Sequence, residues 1–178
     1  MEQDSQIITL CRRGRQEGFA TLLLAYQERV YRRAFSFVQN RDDALDLTQE
    51  VFLRTIRGVQ NLAPDRPLWP WLRRITTNLC LNFVRDRHPA VPLDEALPST
   101  DEADPQEAAL AAWHAGEVSA AVADLPPLYR MAVVLRHQED LSYEEIARLM
   151  ELPLGTVKTY LFRARRLLKQ RLLQALEG

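Results

Sequence analysis

The stretch Leu141-Ser142-Tyr143-Glu144-Glu145-Ile146-Ala147-Arg148-Leu149-Met150-Glu151-Leu152-Pro153-Leu154-Gly155-Thr156-Val157-Lys158-Thr159-Tyr160-Leu161-Phe162-Arg163-Ala164-Arg165-Arg166-Leu167-Leu168-Lys169 decides the fold. Ser142 followed by Glu145 is a capping box: the hydroxyl accepts from the Glu145 amide while the Glu145 carboxylate reaches back to the Ser142 amide. The helix this opens is short, with Ile146 and Leu149 expected on one side. Glu151-Leu152-Pro153-Leu154-Gly155 cannot continue it, because proline lacks the N–H donor and glycine is a poor helix former. A second helix is expected to start near Thr156, with Val157, Leu161, Ala164 and Leu168 on one face at helical spacing. A capped short helix, a tight turn and a longer helix make a helix-turn-helix, whose second helix enters the major groove of DNA.

The opposite face of that second helix supports this reading. Thr156, Thr159, Arg163 and Arg166 form one stripe, and Lys158, Phe162, Arg165 and Lys169 flank it. Residues near the helix start are expected to meet base edges, with the later Arg and Lys side chains on phosphates. For any one helix, a merely solvated basic face is the competing account. The coincidence of cap, turn and concentrated charge favours DNA.

Outward from this motif the charge divides the chain. The net charge of −1 conceals +4 over residues 1–87, −8 over 88–124 and +3 over 125–178. Prolines at 89, 92, 98 and 105 punctuate the acidic block and rule out a continuous helix through 88–104. No β-branched alternation or hairpin turn chemistry argues for strands. Apolar periodicity predicts helices over 16–38, 42–60 and 69–86, with three or four helices in all before the linker. Beyond it helices are predicted over 105–123, 126–138, 142–150 and 155–175. The expected fold is therefore all-α: two small helical domains, 1–87 and 105–178, joined by a flexible acidic linker over 88–104. The C-terminal domain is the helix-turn-helix.

Composition narrows the function. No apolar run approaches the ~20 residues that span a bilayer, and the N-terminus lacks a secretion signal, so the expected location is the cytoplasm with no membrane contact. Cys11 and Cys80 show no CxxC spacing, and neither a disulfide nor a zinc site is expected. His88, His114 and His137 are scattered, and no carboxylate cluster has metal-ligand spacing. No enzymatic activity, metal or cofactor is expected.

Two further surfaces stand out. On the helix over 69–86, Arg74, Thr77, Asn78 and Arg85 oppose the apolar face, and Trp69 and Trp71 stand at its start. Aromatics beside Arg, Asn and Thr suit an unstacked single-stranded base. The alternative, tryptophans as core anchors, weighs more for Trp71 than for Trp69. On the helix over 42–60, Leu45, Thr48, Phe52, Ile56 and Val59 are expected to face the core, while Asp42, Asp46, Gln49 and Leu53 form another stripe with Glu50 beside it. An acidic face with an exposed leucine suits a basic protein partner; a plain solvated face is the equal alternative.

Taken together, these segments resemble a known family. Asp43-Ala44-Leu45-Asp46-Leu47-Thr48-Gln49-Glu50-Val51-Phe52-Leu53-Arg54 is similar to the segment of bacterial sigma factors that docks on core RNA polymerase. Pro70-Trp71-Leu72-Arg73-Arg74-Ile75-Thr76-Thr77-Asn78 resembles the segment that opens and reads the −10 element. Leu125–Arg130, Leu141–Ala147, Gly155–Lys158 and Arg163–Leu167 resemble the −35-binding domain. The short two-domain layout is similar to extracytoplasmic-function sigma factors.

The resemblance implies that Asp46, Gln49, Glu50 and Leu53 grip the clamp helices of the largest polymerase subunit. It implies that Trp69, Trp71, Arg74, Thr77, Asn78 and Arg85 meet single-stranded −10 DNA, with the loop from Asn61 capturing a flipped base. Thr156, Lys158, Thr159, Tyr160, Phe162, Arg163 and Arg166 then meet double-stranded −35 DNA, and an anti-sigma factor holds the protein inactive. Tyr160 stands where many members have arginine, Thr76 where alanine is usual and Asn82 where aspartate is frequent. The competing account is a stand-alone helix-turn-helix regulator binding an operator. The single helix-turn-helix and the lack of a coiled-coil seam weigh against it.

Overall fold

A computed structural model describes residues 2–88 and 115–177. All regular elements among them are helical: α1 (Glu2–Arg12), α2 (Gln16–Val38), α3 (Arg41–Gly58) with a single 3-10 turn (Val59–Asn61), α4 (Leu68–Arg87), α5 (Ala115–Ala123), α6 (Pro127–His137), α7 (Tyr143–Met150) and α8 (Leu154–Glu177). The chain divides into two compact units, Met1–Phe83 and Val84–Gly178. The linker expected over 88–104 and the first part of the helix expected from 105 lie almost wholly outside the described residues.

In the first unit, caps define the helices. Gly14 ends α1 at φ 66, in the left-handed region that glycine enters without steric cost. Its amide donates to Cys11 O, and the Arg15 amide donates to Leu10 O, the paired bonds of a Schellman ending. Gln39 takes the same left-handed conformation at the end of α2. Asn40 then caps α3, its Oδ1 accepting from the amides of Asp42 and Asp43 at 2.9 and 3.0 Å. Two residues thus reverse the chain between α2 and α3, with Asp42 and Asp43 at the positive end of the α3 dipole.

The core of this unit gathers Ile7, Ile8 and Cys11 from α1, Leu22, Val30, Ala34 and Phe37 from α2, Ala44, Leu47 and Val51 from α3, and Leu68, Leu72 and Cys80 from α4. Each large apolar side chain buried there contributes about 1.5–3 kcal/mol. Thr48 and Thr55 also enter the core of α3, their hydroxyls donating to the carbonyls of Ala44 and Val51.

The structure corrects the expected inward face of α3. Leu45 and Ile56 are 42% and 40% exposed, while Ala44, Leu47, Val51 and Thr55 point inward instead. The apolar arc of α3 is wider than one packing face, and α2 covers only part of it.

In the second unit the capping box forms as expected. The Glu145 amide donates to Ser142 Oγ at 3.2 Å, and the Ser142 amide donates to the Glu145 carboxylate at 2.8 Å. Glu151 closes α7 in the left-handed region at φ 55. Pro153 O then accepts from the Thr156 and Val157 amides as α8 begins. Ile146 and Met150 are the buried residues of α7, with Leu149 only half-buried. On α8, Val157, Leu161, Ala164 and Leu168 are all buried, joined by Leu172.

Candidate nucleic-acid and partner interfaces

The exposed face of α8 holds fewer DNA candidates than its sequence suggests. Thr156, Lys158 and Arg163 are half-buried, and Phe162, Arg166 and Lys169 are exposed. At Gly155, a side chain would meet nothing within 4 Å, so the helix start is open for close approach by a ligand.

Three residues expected around this stripe are turned inward. Tyr160 is 2% exposed and packs on Tyr129 of α6, ring centroids 5.0 Å apart. It lies on the same arc as Val157 and Ala164, so it belongs to the core. Thr159 is buried, its hydroxyl donating to Gly155 O at 2.8 Å. Arg165 is buried as well and donates from Nη1 to the Tyr143 hydroxyl at 3.3 Å, tying α8 to α7.

The face of α4 expected to meet single-stranded DNA is similarly sorted by packing. Arg74 and Asn78 are exposed, and Arg85 is half-buried. Thr77 is buried: its Oγ1 donates to Arg73 O and accepts from Arg33 Nε and Nη2 at 3.3 and 2.8 Å. It fastens α4 to α2 and does not face solvent. Trp71 is half-buried, with its ring so near Gly58 that an added Cβ there would lie 3.0 Å from Cζ2. Trp69 stacks nearly parallel on Tyr26, and the Arg29 guanidinium lies 3.8 Å from the indole centroid.

Sequence reading did not single out Arg29 or Asp4 beside this tryptophan. Asp4 Oδ2 accepts from the Leu68 amide at 3.0 Å, and Oδ1 accepts from the Tyr26 hydroxyl at 2.6 Å. Burial and this carboxylate raise the Tyr26 pKa well above its ordinary value. The i, i+3 spacing of Tyr26 and Arg29 was the one local signal of a shared surface. Asp4 had none, because its partners lie far along the chain.

Between α2 and α3 runs an apolar cleft of about 490 Å³. Leu23, Leu45, Leu53 and Ile56 rim it, and Phe19 and Phe52 lie deeper, with Gln49 at its edge. Leu53 is 49% exposed. Asp46 and Gln49 are exposed, and Glu50 is half-buried and paired with Arg54 at 2.7 Å. The acidic character of this face is therefore milder than its sequence suggests, and its apolar character stronger. Among the described residues, no group of three or more His, Cys, Asp or Glu could hold a metal ion, and no helix is long and apolar enough to cross a membrane.

Two helical units, the second carrying a capped helix-turn-helix with a basic exposed stripe, define a helix-turn-helix DNA-binding protein. Comparison with known proteins narrows this class. Residues 22–89 match Sigma-70 region 2, and residues 115–168 match Sigma-70, region 4. The chain is 33% identical over 177 residues to the RNA polymerase sigma-H factor of Pseudomonas aeruginosa, covering 92% of this chain and 91% of that one. It is 40% identical over 152 residues to the ECF RNA polymerase sigma factor SigE of Mycolicibacterium smegmatis. That match covers 83% of this chain but spans only 59% of the relative.

Solved structures share the fold. CnrH in complex with the cytosolic domain of CnrY has a TM-score of 0.52 at 24% identity, covering 97% of this chain and 98% of that chain. The sigma factor RpoE in complex with the anti-sigma factor NepR from Bartonella quintana has a TM-score of 0.51 at 22% identity, covering 86% and 96%. The chain belongs to the sigma-70 family of RNA polymerase sigma factors, in its ECF group.

Proposed function

We propose that this chain binds core RNA polymerase in the cytoplasm and directs promoter-specific initiation, with no catalysis of its own. The observation that carries the reading is the α2–α3 cleft: a sizeable apolar surface, rimmed by four half-exposed aliphatic side chains, on the face that carries Asp46, Gln49, Glu50 and Leu53. An apolar groove of this kind favours a helical partner, which a free-standing operator-binding regulator does not need. The clamp helices of the largest polymerase subunit supply such a partner.

In this reading Trp69, Arg74, Asn78 and Arg85 meet the single-stranded −10 element, with Trp71 and Thr77 holding α4 in place. Thr156, Lys158, Phe162, Arg163 and Arg166 meet the duplex −35 element, while Thr159 and Tyr160 support the helix from within. The domains span 1–87 and 105–178, with 88–104 as the tether. An anti-sigma factor keeps the protein inactive, and the Bartonella quintana chain of the same fold is in complex with one.

The test is to add the purified chain to bacterial core RNA polymerase, transcribe a sheared genomic library and sequence the RNA 5′ ends. New start sites sharing two upstream elements, absent with core alone, are expected. A folded chain that gives no new starts and no association with core would return the free-standing regulator.

A further inference from the structure

Helix α1 contributes no residue to either proposed DNA surface, yet it is tied to both ends of the segment joining α3 to α4. At the entry, Gln60 Nε2 donates to Arg12 O at 3.2 Å. At the exit, Asp4 Oδ2 accepts from the Leu68 amide at 3.0 Å, and Oδ1 accepts from the Tyr26 hydroxyl at 2.6 Å. One carboxylate thus joins α1, α2 and α4.

The first amides of a helix have no partner within it and are usually satisfied by a side chain just before the helix. Here the residues before Leu68 are Asp65, Arg66 and Pro67, and the acceptor comes from the N-terminal helix instead. A carboxylate is the favoured group there, because it meets the positive end of the helix dipole. With both oxygens engaged it cannot rotate freely, so it fixes Leu68 relative to Tyr26. The next residue, Trp69, lies in the stack formed by Tyr26 and Arg29.

We infer that Asp4 is a positioning residue for −10 recognition: by capping α4 and holding Tyr26 under Trp69, it sets the geometry of the segment from Asn61 to Trp69. This rests on the proposal that the segment reads the −10 element. The contribution is indirect, since Asp4 itself is half-buried between helices.

The test uses the full chain assembled with core polymerase on templates with randomised −10 positions and a fixed −35 element. Promoter opening is followed by permanganate reactivity of unpaired thymines, and polymerase affinity and −35 dependence are measured beside it. Asp4→Ala is expected to slow opening by about tenfold, the scale of losing a helix N-cap. It should also broaden the −10 preference while polymerase affinity and −35 dependence hold.

Asp4→Asn keeps an acceptor for the Leu68 amide and should restore most of both effects. Tyr26→Phe, which leaves the stack in place, should fall between and keeps the test usable if Asp4→Ala fails to fold. Wild-type opening and −10 preference in Asp4→Ala, or in Tyr26→Phe should that variant alone fold, would overturn the inference. Trp69→Ala and substitution of Asp65 and Arg66 test the underlying reading separately. If those changes leave the −10 preference intact, the segment is not the reader, and the role of Asp4 falls with it.

Discussion

Gly18 of α2 crosses Leu10 of α1 so closely that a Cβ added to the glycine would lie 2.6 Å from Leu10 Cβ and 2.7 Å from the Cys11 amide nitrogen. The second of these is backbone and cannot rotate away. In an exposed helix, alanine in place of glycine gains about 1 kcal/mol. At this crossing, overpacking of about 1–3 kcal/mol opposes that gain and outweighs it. Gly18→Ala is therefore expected to lower the urea midpoint of the first unit and to speed hydrogen exchange in α1. A raised midpoint would mean that the two helices do not meet this closely.

Tyr160 and Arg163 should separate packing from recognition. Tyr160→Ala removes a buried ring that packs on Tyr129, and a loss of about 3–5 kcal/mol is expected in the second unit. DNA binding should be lost along with the fold. Tyr160→Phe should bind −35 duplex as the wild type does. Arg163→Ala should keep the melting temperature and polymerase binding while weakening −35-dependent initiation. A Tyr160→Phe variant that folds but changes −35 base preference would place the hydroxyl at the DNA after all.

The α2–α3 cleft predicts a partner phenotype without a folding one. Leu53 and Gln49 are both exposed, so Leu53→Ala with Gln49→Ala should unfold as the wild type does. Association with core polymerase should fall by at least about tenfold, the lower range for interface anchor residues. Unchanged affinity in a pull-down titration would remove this face from the interface.

The capping box carries a pH signature. The Glu145 carboxyl is held below its ordinary range, first by the hydrogen bond from the Ser142 amide and then by the one involving its hydroxyl. A lowered pKa in the folded state means that its stabilisation is complete above the ordinary glutamate range. That stabilisation is lost as the pH falls through the lowered value. Glu145→Gln should therefore flatten the acid limb of the stability curve of the second unit by lowering stability above the ordinary glutamate range, while leaving it little changed below the lowered pKa. Ser142→Ala should cost about 1 kcal/mol near neutral pH. Parallel acid limbs for wild type and Glu145→Gln would show that the carboxylate is not held this way in solution.

Both thiols should be inert in the folded protein. Burial raises the Cys11 pKa, and it pushes Cys80 up to about 12 despite the opposing charge of Arg33. The reactive thiolate is thus scarce at about pH 8, and the sulfur atoms are shielded as well. Ellman's reagent should label neither cysteine in native protein and both in guanidinium chloride. Fast native labelling of either would show that its sulfur is not shielded in this way.

Much of the fold was legible because the decisive signals are local. The helix predicted over 16–38 forms as Gln16–Val38, and the expected break at Gln39-Asn40 is a left-handed residue followed by a side-chain cap. The Ser142–Glu145 box and the Pro153 turn likewise act within a few residues of themselves. Helix α1 was not placed, since its apolar residues Ile7, Ile8 and Cys11 make a pattern too short to stand out. Its docking depends on Gly18, whose lack of a side chain gives no periodic signal.

The candidate surfaces were legible to the same degree and no further. Periodicity distinguishes an apolar arc from a polar one, but not which part of a wide apolar arc meets a neighbour. Leu45 and Ile56 therefore rim a cleft on α3 where a core was expected. Nor does it reveal when a polar side chain is drawn inward by a partner on another helix, as Thr77 is by Arg33 and Arg165 by Tyr143.

The sequence alone determined the all-helical class, the helix-turn-helix and the stretch that carries its basic residues, because caps, turns and periodicity are short-range properties of the backbone. Only the tertiary structure decided which of those residues remain on the surface. It also joined Asp4 to Leu68 across most of the first unit, since such contacts exist only once helices distant in sequence have packed together.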